Sequence, residues 1–163
     1  MKYKITLADK ADKYEQNSIK TIREICMKQV TLITQKNINK MTEDNISYKV
    51  RGIIFDIYNK LGPGLYESVY EEILAYELLK ANLNFTRQKA LPVIWEEIKM
   101  DHGFRADIIV ENKVIIEIKS VELIANIHYK QLLTYLRLSN LKLGLLINFN
   151  AEPVFIKRIV NNL

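Results

Sequence analysis

"FRADIIVENKVIIEIKS", residues 104–120, decides how the rest of the chain is read. Two apolar runs flank Glu111-Asn112-Lys113, which suits a tight turn, so the stretch predicts two antiparallel strands. A loop of residues 111–113 sets Ile109 opposite Ile115 and Asp107 opposite Glu117. Residues two apart on a strand share a face, so Glu117 and Lys119 stand together with Asp107 beside them. Carboxylates opposed across a ladder repel. A divalent cation between them reverses that sign, and Mg²⁺ is commonly held by one or two carboxylates with water and substrate phosphate. Lys119, one step along, could hold or deprotonate a water beside such a metal, which would complete a hydrolysis site. The plainer alternative is a solvated Glu–Lys pair on the exposed face of an edge strand, and a two-residue turn would break the Asp107 register.

Outward from this hairpin the pattern is firm from about residue 41. "MTED" predicts a helix start with Thr42 as N-cap and acids in the first turn. "ISYKVRGIIFDIYNKLG" carries apolar residues at 46, 50, 53, 54, 57, 58 and 61, a helical stripe that Gly62-Pro63-Gly64 stops. "YESVYEEILAYELLKANL" predicts a second helix through positions 66, 69, 70, 73, 74, 78 and 79. "FTRQKALPVIWEEIKM" holds one or two strands, "NIHYKQLLTYLRLSN" a third helix, "KLGLLINF" a buried strand and "VFIKRIV" a short last one. The order α-α-β-β-β-α-β-β, with a hairpin-bearing sheet against helices, is α+β or mixed α/β.

The chain has 163 residues, one cysteine and a net charge of +5. One domain with a sizeable core fits that length. Cys26 alone allows no internal disulfide, which fits a reducing cytoplasm. No apolar run is long enough for a bilayer, and the N-terminus does not read as a signal peptide. Residues 1–40 hold 9 Lys/Arg against 4 Asp/Glu, and residues 41–163 hold 15 of each. The basicity therefore lies wholly in the first forty residues, and the rest lacks a general electrostatic footprint for DNA. Within those forty, Ile19, Ile22, Ile25 and Cys26 have helical spacing, and "QKNINKMTEDN" reads as a linker. A translation start at Met41 would give a complete domain, which makes residues 1–40 an N-terminal extension to a domain at 41–163.

Several separated motifs occur in order: "GLYESVY" (Gly64 to Tyr70), "FRADIIV", "IIEIKS", "QLLTYL" and "GLLINF". Over about 43–163 the chain resembles the GxxExxY family, assigned by similarity to the PD-(D/E)XK nuclease superfamily. The resemblance implies a restriction-endonuclease-like mixed sheet flanked by helices, with core order αβββαβ. It implies a Mg²⁺- or Mn²⁺-dependent nuclease acting on DNA. The superfamily's metal-binding acid matches Asp107, and its (D/E)-x-K matches Glu117-Ile118-Lys119, with the Ile118 backbone carbonyl as a further ligand and Lys119 orienting or activating water. The helix carboxylate of RecB-type members matches Glu67, and their Q-x-x-x-Y matches Gln131 and Tyr135. The cysteines that hold an iron–sulfur cluster in some relatives are lacking, and Asn59 stands where many members carry a histidine.

Other residues are open to two readings. Tyr70 packs against the sheet or hydrogen-bonds Glu67, with core packing the better account. His128 is structural or touches phosphate. Arg105 shares the Asp107 face if its strand is regular, and there binds phosphate or neutralises the acids. Trp95 and Phe85 read as core or groove wall. Two rival functions remain: a non-catalytic nucleic-acid-binding or protein-interaction module retaining the fold, and a structural or toxin-system accessory protein that dimerises through the N-terminal segment. A homodimer stays open; a membrane partner is not expected.

Overall fold

The computed structural model describes residues 41–162 together with Lys20, Glu24 and Met27, apart from the side chains of Trp95, Asp101 and His102. The expected N-terminal helix and the reading of Trp95 lie outside the described residues. Helix α1 (Glu43–Leu61) starts where Thr42 Oγ1 accepts the Asn45 N–H at 3.3 Å, with Glu43 and Asp44 in the first turn. Ile46, Val50, Ile54 and Ile57 bury its inner face. It stops at Gly62, whose φ of 69° continues no right-handed helix and whose N–H closes on Tyr58 O at 2.7 Å. Helix α2 (Glu67–Lys80) follows and buries Tyr70, Leu74, Ala75 and Leu78. Its apolar stripe is narrower than the sequence suggested. Tyr66 is the N-cap and 82% exposed, and Leu79 is 66% exposed. Both stand off the inward face defined by the 70-74-78 spacing.

Strands β1 (Phe85–Trp95), β2 (Ile98–Val110) and β3 (Val114–Lys119) form an antiparallel meander. Helix α3 (Asn126–Ser139) then crosses over to β4 (Leu143–Asn148), which runs parallel to β3, and β5 (Phe155–Val160) pairs antiparallel with β4. The sheet is five-stranded in the order β1-β2-β3-β4-β5. Pro92 is tolerated because β1 is an edge strand and its register with β2 shifts between Leu91 and Val93.

Two apolar layers sandwich the sheet. One joins Ile46, Ile54, Leu74 and Leu78 of α1 and α2 to Val114, Ile116, Ile118, Leu145 and Ile147. The other joins Leu132, Tyr135 and Leu136 of α3 to Ile109, Ile115 and Leu146. Alternate residues of β3 and β4 therefore feed opposite layers, which is why "VIIEIK" and "LGLLIN" are apolar without a break. α3 settles directly on Gly144, where an added Cβ would lie 2.9 Å from the Leu132 side chain. Residues Met41–Leu163 make one compact unit. Among the described residues no helix is long and apolar enough to cross a membrane.

Candidate active site

The hairpin register is the expected one: Ile108 pairs with Ile116, Ile109 with Ile115 and Val110 with Val114. Glu111 and Asn112 turn the chain with φ of 51° each. The ladder ends one step short of Asp107 and Glu117. There Asp107 Oδ2 accepts the Ile118 N–H at 2.8 Å, so a side chain takes the place of a ladder carbonyl. Ile115 belongs to the α3 layer, so Glu117 and Lys119, two and four residues on, look to the same side.

Glu117 is only 1% exposed. Its Oε1 accepts a hydrogen bond from Lys119 Nζ at 2.6 Å, while Oε2 is buried with no hydrogen-bond partner among the described residues. Burial, then the neighbouring Asp107 charge, pushes the Glu117 carboxyl up to about 7 against the opposing Lys119. Burial also pushes Asp107 up, against the Ile118 N–H and the Lys119 charge. For Lys119, burial favours loss of the proton, but Glu117, the bond to it, Glu67 and Asp107 together outweigh burial and hold the ammonium above its usual range. Lys119 is therefore a proton-bearing donor here.

The acid matched on the preceding helix arrives by a different route. Glu67 begins α2, and its Oε1 accepts the Ser120 N–H at 3.0 Å, next to Lys119, while Ser120 Oγ donates to Leu65 O at 2.6 Å. Its charge bears on Asp107, Glu117 and Lys119 alike. Tyr70 is core, as favoured, and does not bond Glu67. Its ring stacks on Phe149 at 4.1 Å, and its hydroxyl donates to Gly62 O at 2.6 Å and accepts the Leu65 N–H at 3.3 Å. Phe149 N in turn donates to Lys119 O at 2.9 Å. The Gly64–Tyr70 motif thus ties the loop before α2, the start of α2 and the end of β3 together.

On α3, Gln131 Nε2 donates to Tyr135 Oη at 2.6 Å. Burial raises the Tyr135 hydroxyl, Gln131 opposes, and the charges of Glu117, Lys119 and Asp107 all reach it. Asp107, Glu117, Lys119, Glu67 and the Gln131–Tyr135 pair are thus brought to one end of the sheet. Other residues fall elsewhere. His128 Nδ1 accepts the Ala125 N–H at 3.1 Å, a bond at the start of α3. Arg105 does not share the face of Glu117. Phe104 meets the Tyr135 ring and Ala106 joins the α3 layer, so Arg105 between them turns to the opposite side. The assumption of a regular strand fails at Gln88 and Asp107, where pairing lapses between Arg87↔Ile108 and Lys89↔Ala106 and Gln88 has a φ of 49°.

Sequence reasoning missed Glu71, Arg87, Gln88 and Asn148. Asn148 Oδ1 accepts the N–H of Val121 at 3.0 Å and of Asn150 at 3.2 Å, and Nδ2 donates to Val121 O at 2.7 Å, which fixes the chain leaving β3. Glu71 was detectable as an acid four residues beyond Glu67 and hence on one helical face; the polar Arg87-Gln88 pair within a strand was the other available signal.

A buried carboxylate oxygen without a donor among the described residues, with a second carboxylate near enough for its charge to act on it, offers hard oxygen donors of the kind Mg²⁺ or Mn²⁺ takes. Among the described residues no three or more His, Cys, Asp or Glu side chains are grouped to hold a metal ion. The fit rests on the two carboxylates, with the other positions left to further oxygen donors, water and phosphate. A family model described as the PD-(D/E)XK nuclease superfamily matches residues 44–159. The chain belongs to the PD-(D/E)XK nuclease superfamily. No curated protein and no solved structure matches it. PD-(D/E)XK nucleases generally use divalent metals, in keeping with the oxygen donors at Asp107 and Glu117.

Proposed function

We propose that this chain is a Mg²⁺- or Mn²⁺-dependent nuclease that hydrolyses phosphodiester bonds in DNA, on the GxxExxY branch of the PD-(D/E)XK superfamily. The buried, donorless Glu117 Oε2 beside Asp107 and Lys119 carries the reading. Asp107, Glu117 and the Ile118 carbonyl hold the ion. When bound, the ion supplies charge stabilisation at the phosphoryl group and acidifies a water. Lys119, kept protonated, donates to the attacking water or to a phosphate oxygen as negative charge develops there. Glu67 fixes the end of β3 through Ser120 and supports the water shell. Gln131 orients the Tyr135 hydroxyl, and the pair aligns the site.

The test is incubation of the full chain with single- and double-stranded DNA and RNA, in Mg²⁺, Mn²⁺ or EDTA. Metal-dependent cleavage of DNA is expected, lost in EDTA. Lys119→Ala abolishes cleavage while metal binding persists, and Asp107→Ala abolishes cleavage and weakens metal binding. Full activity in either purified variant refutes the assignment. Salt-dependent binding without cleavage under any metal selects the non-catalytic nucleic-acid-binding module instead.

A further inference from the structure

We propose that Gln88 is a positioning residue that sets the orientation of the Asp107 carboxylate, anchored through the buried Glu71. The inference rests on the metal-holding role of Asp107 proposed above. Gln88 Nε2 donates to Glu71 Oε2 at 2.7 Å and reaches Asp107 Oδ1 at 3.5 Å. The other Asp107 oxygen accepts the Ile118 N–H. Both oxygens of the carboxylate are thus addressed from opposite sides, which fixes its rotation. Glu71 is 7% exposed and is held in turn by Arg87 Nε at 2.9 Å, while Arg87 Nη1 pairs with Glu72 Oε2 at 2.6 Å. A chain of charge-assisted bonds therefore runs from α2 through β1 to the site.

The backbone gives the second reason. Gln88 is a non-glycine residue in the left-handed region inside a strand, a conformation that L side chains adopt at a cost. Gln88 is exposed, so burial of its own side chain does not compensate. Pairing resumes on both sides of it without change of register. What the unusual conformation achieves is to send one amide to both carboxylates. A brace between α2 and β1 alone would need only Arg87 and Glu71. Groups that orient metal ligands typically govern affinity ten- to a hundredfold.

The test uses the full chain and two variants. Gln88→Gly removes the amide and relieves the backbone, and Gln88→Met removes the amide while keeping an unbranched side chain of nearly the same length. Hydrogen exchange of the Ile118 amide reports on Asp107 without metal, with the Ile116 amide as an internal control. Mn²⁺ titration by calorimetry reports on the site. Both variants are expected to exchange Ile118 at least about tenfold faster with Ile116 unchanged, and to bind Mn²⁺ about ten- to a hundredfold more weakly. Unchanged Ile118 exchange and Mn²⁺ affinity in both variants overturn the proposal, as does equal acceleration of Ile118 and Ile116, which marks a general loosening. If wild type itself binds no Mn²⁺, the metal role of Asp107 fails, and the Ile118 exchange alone decides whether Gln88 positions it.

Discussion

Glu117 is held almost free of solvent with one oxygen on Lys119 and the other on nothing described, and its carboxyl is pushed up to about 7 by burial first and Asp107 second. Without metal, this has a defined sign. From the ordinary glutamate value near 4.5 up to about 7, the folded protein holds a proton that the unfolded chain has released. Stability is then highest below that window, falls as pH rises through it and levels above it. At about 1.4 kcal/mol for each tenfold change in an equilibrium constant, the loss is on the order of 3 kcal/mol. Thermal melting in EDTA from pH 4 to 8 should show the decline in wild type. Glu117→Gln should make it shallower, leaving only the part that the raised Asp107 carboxyl contributes, whatever its absolute stability. Mn²⁺ should restore wild type at the upper end, since a ligand of the folded state alone at a hundredfold over its dissociation constant adds about 2.7 kcal/mol. A wild-type curve as flat as the variant's would show that Glu117 ionises without penalty.

At the scale of elements, Tyr70 shows how a motif residue acts away from the chemistry. Its ring is shared with Phe149 and its hydroxyl pins Gly62 O and the Leu65 N–H, on either side of Gly64, which takes a φ of 104°. Tyr70→Phe keeps the stack and frees the loop that delivers Glu67. It should cost about 1–2 kcal/mol by melting and lower kcat/KM more than its stability loss at assay temperature explains. An unchanged kcat/KM would confine Tyr70 to packing. The elements themselves were legible because their signals are local: the 46-50-54-57 stripe, the Gly62 stop, and a three-residue loop whose register put Asp107 beside Glu117. The break at Gln88 was not legible. Its left-handed conformation goes with a bond to Glu71, on a helix whose placement no local pattern in β1 records. For the same reason Arg105, read as regular with Asp107, came out on the other side. Tyr66 and Leu79 were counted as core because apolar identity alone does not separate the inward face from its flanks.

For the whole molecule, the excess charge and the site belong to different stretches of chain. The first forty residues carry the net +5, and residues 41–163 are balanced. Both apolar layers draw their described residues from 41 onward, and Lys113 Nζ in the β2–β3 turn donates to Met41 O at 2.6 Å, tying the first residue of the compact unit to the hairpin. We therefore propose that 41–163 folds without residues 1–40. The fragment should melt close to the full chain, since no described core side chain is lost. Its grip on nucleic acid should be weaker and less sensitive to salt. Each phosphate contact removed from duplex DNA lowers the slope of log K against log salt by about 0.9, so loss of the nine Lys/Arg of the extension should flatten the slope by several units. Cleavage at low salt and saturating substrate should persist, because every residue assigned to the reaction lies beyond 41. The measurements are thermal melting, binding to one duplex from 50 to 200 mM salt, and cleavage at saturation. A fragment that is unfolded or insoluble places the first forty residues in the core. An unchanged salt slope with intact folding means that the basic residues of the extension never meet phosphate, and that the balanced unit binds its substrate through the site alone.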